Sequence, residues 1–204
     1  MMFNKYTNKI TIALALMGLS LVPVTWVQAG CGLCGSDRSH DQTHQAHTHP
    51  VGIHNAVAVI EPTEGNQASG VFYFTQTDSG VEVQVTLNGL TPNQNHGVHV
   101  HEFGDRTAGN GTSAGGHYNP DGHPHGLPPK KNRHAGSFGN LKADEKGRVQ
   151  TTFLDTTISV QSGKNPIIGR SVVVHAEPDD GSQPSGNAGP RIGVGVIGIQ
   201  NTST

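Results

Sequence analysis

The stretch GVHVHEFGD, residues 97–105, alternates valine with histidine, and this alternation is the first indication of the fold. Successive side chains of a β-strand point to opposite faces, so His99 and His101 share one face while Val98 and Val100 share the other. The pattern predicts a strand with one apolar side and one imidazole side. Two imidazoles on a rigid strand make either half of a metal site or a solvent-facing edge, and the rest of the chain decides between these alternatives.

The chain after His54 contains further short runs with period-two alternation, separated by Gly, Asn, Asp and Ser. Such runs predict an antiparallel sheet, and no amphipathic helical pattern of useful length follows Ala29. The runs are NAVAVIEP, SGVFYFTQT, GVEVQVTLNGL, GVHVHEF, RVQTTFLD, RSVVVHAE and RIGVGVIGI. The last run is too rich in glycine for a helix and fits a strand packed against close neighbours. The number and spacing of the runs predict a barrel or sandwich of seven or eight strands.

Two long intervals interrupt these runs, residues 105–142 and 176–190. Loops of this length without regular structure are usually functional or disordered. The first interval is rich in Gly, Pro and Asn, and it also holds four histidines, which favours function. We therefore expect two functional loops, neither of which contains regular secondary structure.

The composition narrows the class of protein. The formal net charge is −2 and only 14% of residues are charged, which argues against a nucleic-acid-binding surface. Aromatic residues make up 5%, whereas there are 28 glycines and 12 prolines, as expected for short strands joined by ordered loops. The length suits one compact domain, residues 54–204, preceded by a leader and a tail.

The N-terminus has the pattern of a secretory signal peptide over residues 1–29. Lys5 and Lys9 precede an apolar run of 18 residues, after which VQA offers small residues at a cleavage site. A transmembrane anchor is the alternative, but the run is near the lower length limit and contains Pro23. We expect cleavage after Ala29, a periplasmic or extracellular location, and no stable membrane insertion afterwards. The QAGC stretch leaves open a lipid anchor at Cys31.

Residues 30–53 are expected to form a flexible, metal-binding tail. Cys31 and Cys34 are the only cysteines, and no βαβ pattern supports a thioredoxin-type motif around them. A local disulfide, a pair of metal ligands and lipidation remain open. Histidines without apolar partners follow, which suits either capture of copper or zinc or a solvated, pH-sensitive tail. These histidines are His40, His44, His47 and His49.

Six motifs stand in a recognisable order between about His54 and Gln200. They are HGVHVHEFGD, TSAGGHYNP, HGLPP, RHAGSFGNL, VVVHAEPDD and GNAGPRIGVGVIGI. Together they resemble the copper–zinc superoxide dismutase family. The resemblance implies an all-β, eight-stranded antiparallel Greek-key β-barrel or sandwich with two long functional loops. It also implies copper and zinc as cofactors and superoxide as the substrate.

The resemblance assigns metal-binding roles to six histidines. The implied copper ligands are His99, His101, His117 and His175. The implied zinc ligands are His117, His125 and His134, so that His117 bridges the two metals. Four imidazoles in a tetragonal arrangement suit Cu(II) independently of the resemblance.

The resemblance also implies two charged residues around the metals. Asp179, in EPDD, corresponds to a carboxylate that orients one copper ligand and one zinc ligand. Arg191, in GPRIGVG, corresponds to the guanidinium that attracts and positions the small anion beside copper. The catalytic roles thus fall on Arg191 and on His117, which supplies a proton. No metal role falls to His54, to His123 or to His96, the last of which we expect in the core.

Three features depart from the family pattern. The cysteines of the family's internal disulfide are absent, because their places read AGNGTSAG and GVGVIG. The place of the zinc-ligand aspartate, three residues after His134, holds Ser137. A neutral hydroxyl is a poor zinc ligand, so we expect weak zinc binding, with Asp121 or Asp144 as a possible substitute fourth ligand. The second loop is short and lacks the lysines that steer the substrate in many relatives.

These observations predict an exported superoxide dismutase, either a monomer or a homodimer. The alternative is a non-catalytic copper-binding or copper-delivery protein on the same barrel, motivated by the absent disulfide, by Ser137 and by the histidine tail. Arg191 and Asp179 favour the enzyme, because copper storage requires no guide for anions.

Overall fold

A computed structural model describes residues 52–203 of the chain. The strands in this range are β1 (Asn55–Pro62), β2 (Ser69–Thr77), β3 (Gly80–Asn88), β4 (Asn95–His101), β5 (Ser137–Lys142), β6 (Val149–Asp155), β7 (Ser171–His175) and β8 (Arg191–Ile199). A single turn of 3₁₀-helix, Thr112–Ala114, lies in the long loop between β4 and β5. Among the described residues, no helix has the length and hydropathy needed to span a membrane.

The strands form one antiparallel sheet in the order β5-β4-β7-β8-β1-β2-β3-β6. The neighbours β4 and β7, and β8 and β1, are distant in sequence, which gives Greek-key connections. The edge strands β5 and β6 approach each other, and the rings of Phe138 and Phe153 lie 5.3 Å apart between centroids. The sheet is therefore a nearly closed barrel, and the predicted all-β Greek-key architecture is confirmed.

Side-chain alternation determines what fills the barrel. Phe72 and Phe74 on β2 are fully buried, and their rings lie within 6.5 Å of Phe138 on β5. Val98 and Val100 on β4 are also inaccessible to solvent. Burial of these apolar side chains stabilises the fold by roughly 1.5–3 kcal/mol for each large residue. The core thus occupies the apolar face that the sequence predicts for β4.

The glycines of β8 allow close contact with β1. A Cβ atom on Gly195 would lie 2.5 Å from the carbonyl oxygen of Val59, closer than real contacts of this kind. A side chain at this position would push the two strands apart. The glycine-rich run RIGVGVIGI is therefore a strand with close neighbours, as predicted.

One strand lies where we predicted an irregular loop. The interval 105–142 was expected to lack regular structure throughout, but its last six residues, SFGNLK, form β5. The alternation is hidden because side chains on both faces of the strand are buried, those of Ser137 and Phe138 included. Gly139 has a φ of 73°, which further obscures the strand pattern. The loop between β4 and β5 is correspondingly shorter than predicted.

The predicted signal peptide and nearly all of the predicted tail, with Cys31, Cys34 and the four tail histidines, lie outside the described residues. At the start of the described range, the amide of Ile53 donates a hydrogen bond to Oε1 of Gln161 over 2.6 Å. The side chain of Ile53 packs against the core. Packing of the barrel therefore begins by Ile53.

Candidate metal centre

β4 presents two histidines on the face opposite the core. His99 and His101 are each 1% exposed, because the long loops cover this face of the strand. A register shift between Val98 and His99 marks a β-bulge in the pairing with β5. Bulges bend a strand and redirect its side chains, and they are common beside functional sites. One face of the His-Val-His alternation therefore packs into the barrel core. The other face carries the imidazoles and is also buried, so it is not a solvent-exposed edge.

β7 and β8 add His175 and Arg191, which are partners across the two strands at a second register shift. Nδ1 of His175 donates to the carbonyl oxygen of Gly189 over 3.0 Å. Nδ1 of His101 likewise donates to the carbonyl of Gly115 over 3.0 Å. These bonds leave the two Nε2 atoms facing each other at 3.4 Å.

His117 reaches this group through backbone pairing of the first long loop with β4. It forms an antiparallel bridge with His101, and the amide of Tyr118 donates to the carbonyl of Val100 over 2.9 Å. The ring of His117 stacks on that of His99, with centroids 3.9 Å apart. One nitrogen from each of four histidines lies within 4.8 Å of the others: His99, His101, His117 and His175.

A second group shares His117 with the first. The Nδ1 atoms of His117 and His134 lie 3.3 Å apart, so Nε2 of His117 remains for the four-histidine group. Nitrogens of His117, His125 and His134 lie within 4.8 Å of one another. The structure thus brings together all six histidines to which the sequence assigned metal roles.

Asp179 joins the two groups. Its Oδ2 accepts a hydrogen bond from Nε2 of His99 over 2.6 Å, and both carboxylate oxygens lie 2.9 Å from Nε2 of His125. Burial opposes ionisation of Asp179, but the hydrogen bonds from the two histidines outweigh it and lower its pKa to about 2. An ionised carboxylate therefore fixes the orientation of one ring in each group.

In each of the two rings held by Asp179, the second ring nitrogen makes no hydrogen bond among the described residues. Nδ1 of His99 and Nδ1 of His125 are buried and have no hydrogen-bond partner among the described residues. A buried polar atom without a partner is costly, and a metal ion coordinated by that nitrogen removes the cost. The donor sets therefore fit one ion held by four imidazoles and one held by three.

Five of the histidines are held in the neutral form that binds metals. Burial lowers the pKa of His99, His101, His117 and His134. Burial, followed by the charge of His99, lowers the pKa of His175 to about 4. Metal binding at neutral pH therefore need not displace a proton from His99, His101, His134 or His175. His117 still carries one N–H in the neutral ring and loses it if both of its nitrogens bind metals.

Arg191 is anchored beside the four-histidine group. Its Nη1 and Nη2 atoms donate to the carbonyls of Gly111 and Gly115 over 2.5 Å and 2.6 Å. Gly115 also accepts the hydrogen bond from His101, so the guanidinium and a metal-facing ring share one backbone support. The half-buried guanidinium retains its charge at any physiological pH and can attract a small anion.

Ser137 is buried at 1% exposure, and its hydroxyl donates to the carbonyl of Gly126 over 3.0 Å. The two carboxylates considered as substitutes are occupied elsewhere. Asp121 accepts hydrogen bonds from Lys164 at 2.8 Å and Asn165 at 3.2 Å, and Asp144 pairs with Arg148. Neither belongs to the three-histidine group.

Gly111 lies in AGNGTSAG and Val194 in GVGVIG, the two stretches that lack the family's disulfide cysteines. They are in direct contact, since a Cβ atom on Gly111 would lie 2.8 Å from Cγ2 of Val194. Val194 also packs with Ala114 and Val173 in a small buried cluster. Apolar packing, together with the hydrogen bonds of Arg191, attaches the loop to β8.

The sequence analysis missed two residues that position Asp179. The side chain of Asn140 exchanges two hydrogen bonds with the backbone of Asp179, over 2.8 Å and 2.7 Å. Gly186 has a φ of 77°, and a Cβ atom there would lie 1.9 Å from Oδ1 of Asp179. Both residues stand in or beside motifs noted above, but their contacts depend on long-range packing.

The histidines without an assigned metal role stay outside both groups. His96 is fully buried, and its Nδ1 donates to the carbonyl of His175 over 2.8 Å. It thereby supports the strand end that carries His175. His54 is exposed, and Nε2 of His123 lies 3.8 Å from Asp121.

Comparison with known proteins identifies relatives of this site. Residues 68–197 match the family model of copper/zinc superoxide dismutase. A superoxide dismutase [Cu-Zn] of Paramecium bursaria Chlorella virus 1 is 45% identical over 151 residues, which cover 71% of this chain and 78% of the relative. Superoxide dismutase [Cu-Zn] 2 of Brassica juncea is 44% identical over 152 residues, which cover 71% of this chain and 97% of the relative.

Proposed function

The chain belongs to the copper/zinc superoxide dismutase family, so it is an enzyme that acts on superoxide with copper and zinc as cofactors, and we propose the residues that carry each role. Copper is held by the four-histidine group: His99, His101, His117 and His175. Zinc is held by the three-histidine group: His117, His125 and His134. The supporting observation is that ring nitrogens of these six histidines converge in two groups beside an anchored arginine.

The reaction converts two superoxide anions and two protons into dioxygen and hydrogen peroxide. When bound, copper supplies the one-electron chemistry, taking an electron from one superoxide and giving it to the next. His117 holds one of the protons at Nε2 and delivers it to the second superoxide. Nε2 is the nitrogen suited to this role because Nδ1 faces His134.

Arg191 binds the substrate anion. Its two backbone hydrogen bonds fix the guanidinium plane, which suits an anion with two oxygens. Its positive charge raises the local concentration of superoxide. Asp179 holds His99 and His125 in place and does not contact the substrate.

The assignment is tested with a xanthine-oxidase-coupled assay on the metal-loaded protein. His175→Ala should lose copper and nearly all activity, whereas His54→Ala, which changes an exposed histidine outside both groups, should behave as wild type. Activity that is unaffected by His175→Ala, or no greater than that of free copper, would contradict the assignment.

A copper-delivery protein on the same barrel is the weaker alternative. The relatives are named as superoxide dismutases, and the anchored Arg191 gives an anion a binding position beside the four histidines. Transfer of copper to a metal-free acceptor by a protein without dismutase activity would favour delivery.

The N-terminal pattern supports export. We propose that residues 1–29 are removed and that the enzyme acts in the periplasm or outside the cell, with residues 30–53 as a metal-capturing tail. Mass spectrometry of the protein from its native cell should find a mature N-terminus at Gly30. A lipid-modified N-terminus at Cys31 would instead indicate membrane anchoring.

A further inference from the structure

Glu102 directly follows His101 and contacts the loop segment that supports the four-histidine group. Its backbone amide donates to the carbonyl of Gly116 over 3.0 Å, and its carboxylate oxygen Oε2 accepts a hydrogen bond from the amide of Gly116 over 2.9 Å. The backbone of the glutamate is itself held, because Nη1 of Arg170 donates to its carbonyl over 2.9 Å. Glu102 therefore binds both polar backbone groups of Gly116, although it is exposed at the surface.

The amide of Gly116 and the carbonyl of Gly115 belong to one planar peptide group. That carbonyl accepts hydrogen bonds from Nδ1 of His101 over 3.0 Å and from Nη2 of Arg191 over 2.6 Å, which uses both of its lone pairs. A charged acceptor at the N–H end of a peptide group polarises it and strengthens the acceptor at the other end. The carboxylate of Glu102 therefore acts through a single peptide group on a proposed copper ligand and on the guanidinium beside it.

The carboxylate lies directly against this peptide group. Gly115 has a φ of 77°, and a Cβ atom there would lie 2.8 Å from Oε2 of Glu102 and 2.6 Å from Cδ2 of Phe103. A glycine at this position is what allows so close an approach. Among the described residues, the amide of Gly116 donates to no other group, so loss of the carboxylate would leave this N–H to solvent.

We propose that Glu102 is a positioning residue for the substrate anion, because its carboxylate fixes the Gly115–Gly116 peptide group and thereby the direction of the Arg191 guanidinium. Two effects of this carboxylate oppose each other. Its negative charge repels a small anion, whereas its hydrogen bond holds the group that binds the anion. The charge is exposed and is screened by water and salt, so the hydrogen bond should have the larger effect.

Because the proposal rests on the assigned role of Arg191, its test measures anion binding to the copper-loaded protein without turnover. Azide is a small monovalent anion that gives a charge-transfer absorption band with Cu(II), so a titration yields its dissociation constant. Glu102→Ala, at the same copper content as wild type, should weaken azide binding about threefold, somewhat less than the loss of one net hydrogen bond would.

Two further variants separate the hydrogen bond from the charge. Glu102→Gln keeps an acceptor oxygen for the amide of Gly116 but removes the charge, and it should retain most of the affinity for azide. Glu102→Asp keeps the charge but shortens the side chain by one carbon, so it should weaken azide binding more than Glu102→Gln does. This comparison also decides the question if Glu102→Ala does not load with copper.

Glu64→Ala is the matched control for removal of a nearby charge. Glu64 is exposed and lines a surface depression together with Arg191, but its carboxylate accepts no hydrogen bond from residues 111–116. The variant should change azide binding by less than about twofold, because exposed charges interact weakly. In an Arg191→Ala background, Glu102→Ala should have no further effect, because residues that act through one another are not additive.

The possible results separate this proposal from the one on which it rests. Azide binding in Glu102→Ala that equals or exceeds that of wild type, or weaker binding in Glu102→Gln than in Glu102→Asp, would overturn the role of Glu102. A threefold loss that persists in the Arg191→Ala background would overturn it as well, since the carboxylate would then not act through the guanidinium. If Arg191→Ala alone leaves azide binding unchanged, the proposed role of Arg191 itself is wrong.

Discussion

Ser137 shows how one side chain can change a metal site. The family resemblance implies that an aspartate at this position would add a negative charge and a fourth zinc ligand, whereas the serine hydroxyl donates its hydrogen to the carbonyl of Gly126. We expect Ser137→Asp to raise zinc affinity and thermal stability together, with little change in copper content, because the copper group does not include this residue. Zinc affinity is measured by competition with a chelator, stability by thermal unfolding, and both metals by elemental analysis.

The control for this prediction is Ser137→Ala, which removes the hydroxyl without adding a ligand. It should bind zinc no more tightly than wild type. Retention of one zinc ion per wild-type chain through prolonged dialysis against a strong chelator would contradict the expectation of a weakened site.

Individual residues differ in how far the sequence predicts them. His99 and His101 follow from strand periodicity, because position alone decides which face they occupy. The contact of His99 with Asp179 joins positions 80 residues apart, and the sequence indicates it only through resemblance to a family. The hydrogen bond between Ser137 and Gly126 depends on where a loop folds back, which no local pattern determines.

At the level of elements, the long loop between β4 and β5 is attached to β6 by a buried ion pair. Nη2 of Arg133 lies 2.8 Å from Oδ2 of Asp155, and the two side chains are 7% and 2% exposed. Arg133 directly precedes His134, so this pair also positions a proposed zinc ligand. Neutralising one partner of such a pair leaves the other charge buried and costs about 3–5 kcal/mol.

We therefore expect Asp155→Asn to lower the free energy of unfolding of the metal-free protein by about 3 kcal/mol and to weaken zinc binding. Denaturant unfolding and chelator competition measure the two effects. The matched control is Glu61→Gln, which breaks the exposed pair with Arg106 and should cost less than about 1 kcal/mol. Equal destabilisation by the two variants would contradict a special role for the buried pair.

The contact between Gly111 and Val194 offers a second test of how the loop is attached. Gly111→Cys with Val194→Cys should form a disulfide, because a Cβ atom on Gly111 would already lie 2.8 Å from the valine side chain. Closing a loop of this length stabilises a protein by at most about 4–5 kcal/mol, and the φ of 75° at Gly111 offsets part of that gain. The oxidised double variant should melt at a higher temperature than its reduced form.

Failure of the two cysteines to cross-link under oxidising conditions would show that the loop and β8 are further apart than described. Each single variant serves as a control for the cost of the substitution itself. Gly111→Cys alone should destabilise the protein, because the left-handed backbone disfavours a side chain.

The strands illustrate the same division between local and long-range information. β1, β2 and β3 were predicted because one face of each is buried and the other exposed. β5 was missed because the barrel covers one face and the loops cover the other, so that the polarity difference disappears. Alternation therefore predicts a strand only where solvent reaches one of its sides.

On the scale of the whole molecule, the Greek-key order places β4 between β5 and β7 and places β7 beside β8. His99, His175 and Arg191 thereby come together from distant parts of the chain on a rigid sheet, while the loop supplies His117, His125 and His134. A metal site built in this way forms only when the sheet is assembled. Composition and alternation predicted the class of fold, but the Greek-key topology was implied by the family resemblance.

The last prediction concerns residues 31–50, which precede the barrel. Packing of the barrel begins by Ile53, so removing these residues from the mature protein should leave the fold intact. At saturating copper the truncated enzyme should be as active as the full-length form. At limiting copper it should load more slowly, because the tail imidazoles no longer raise the local concentration of the metal. Replacing the tail histidines with serine separates this effect from tail length: His40, His44, His47 and His49. If truncation abolishes activity even in excess copper, the tail has a structural role instead.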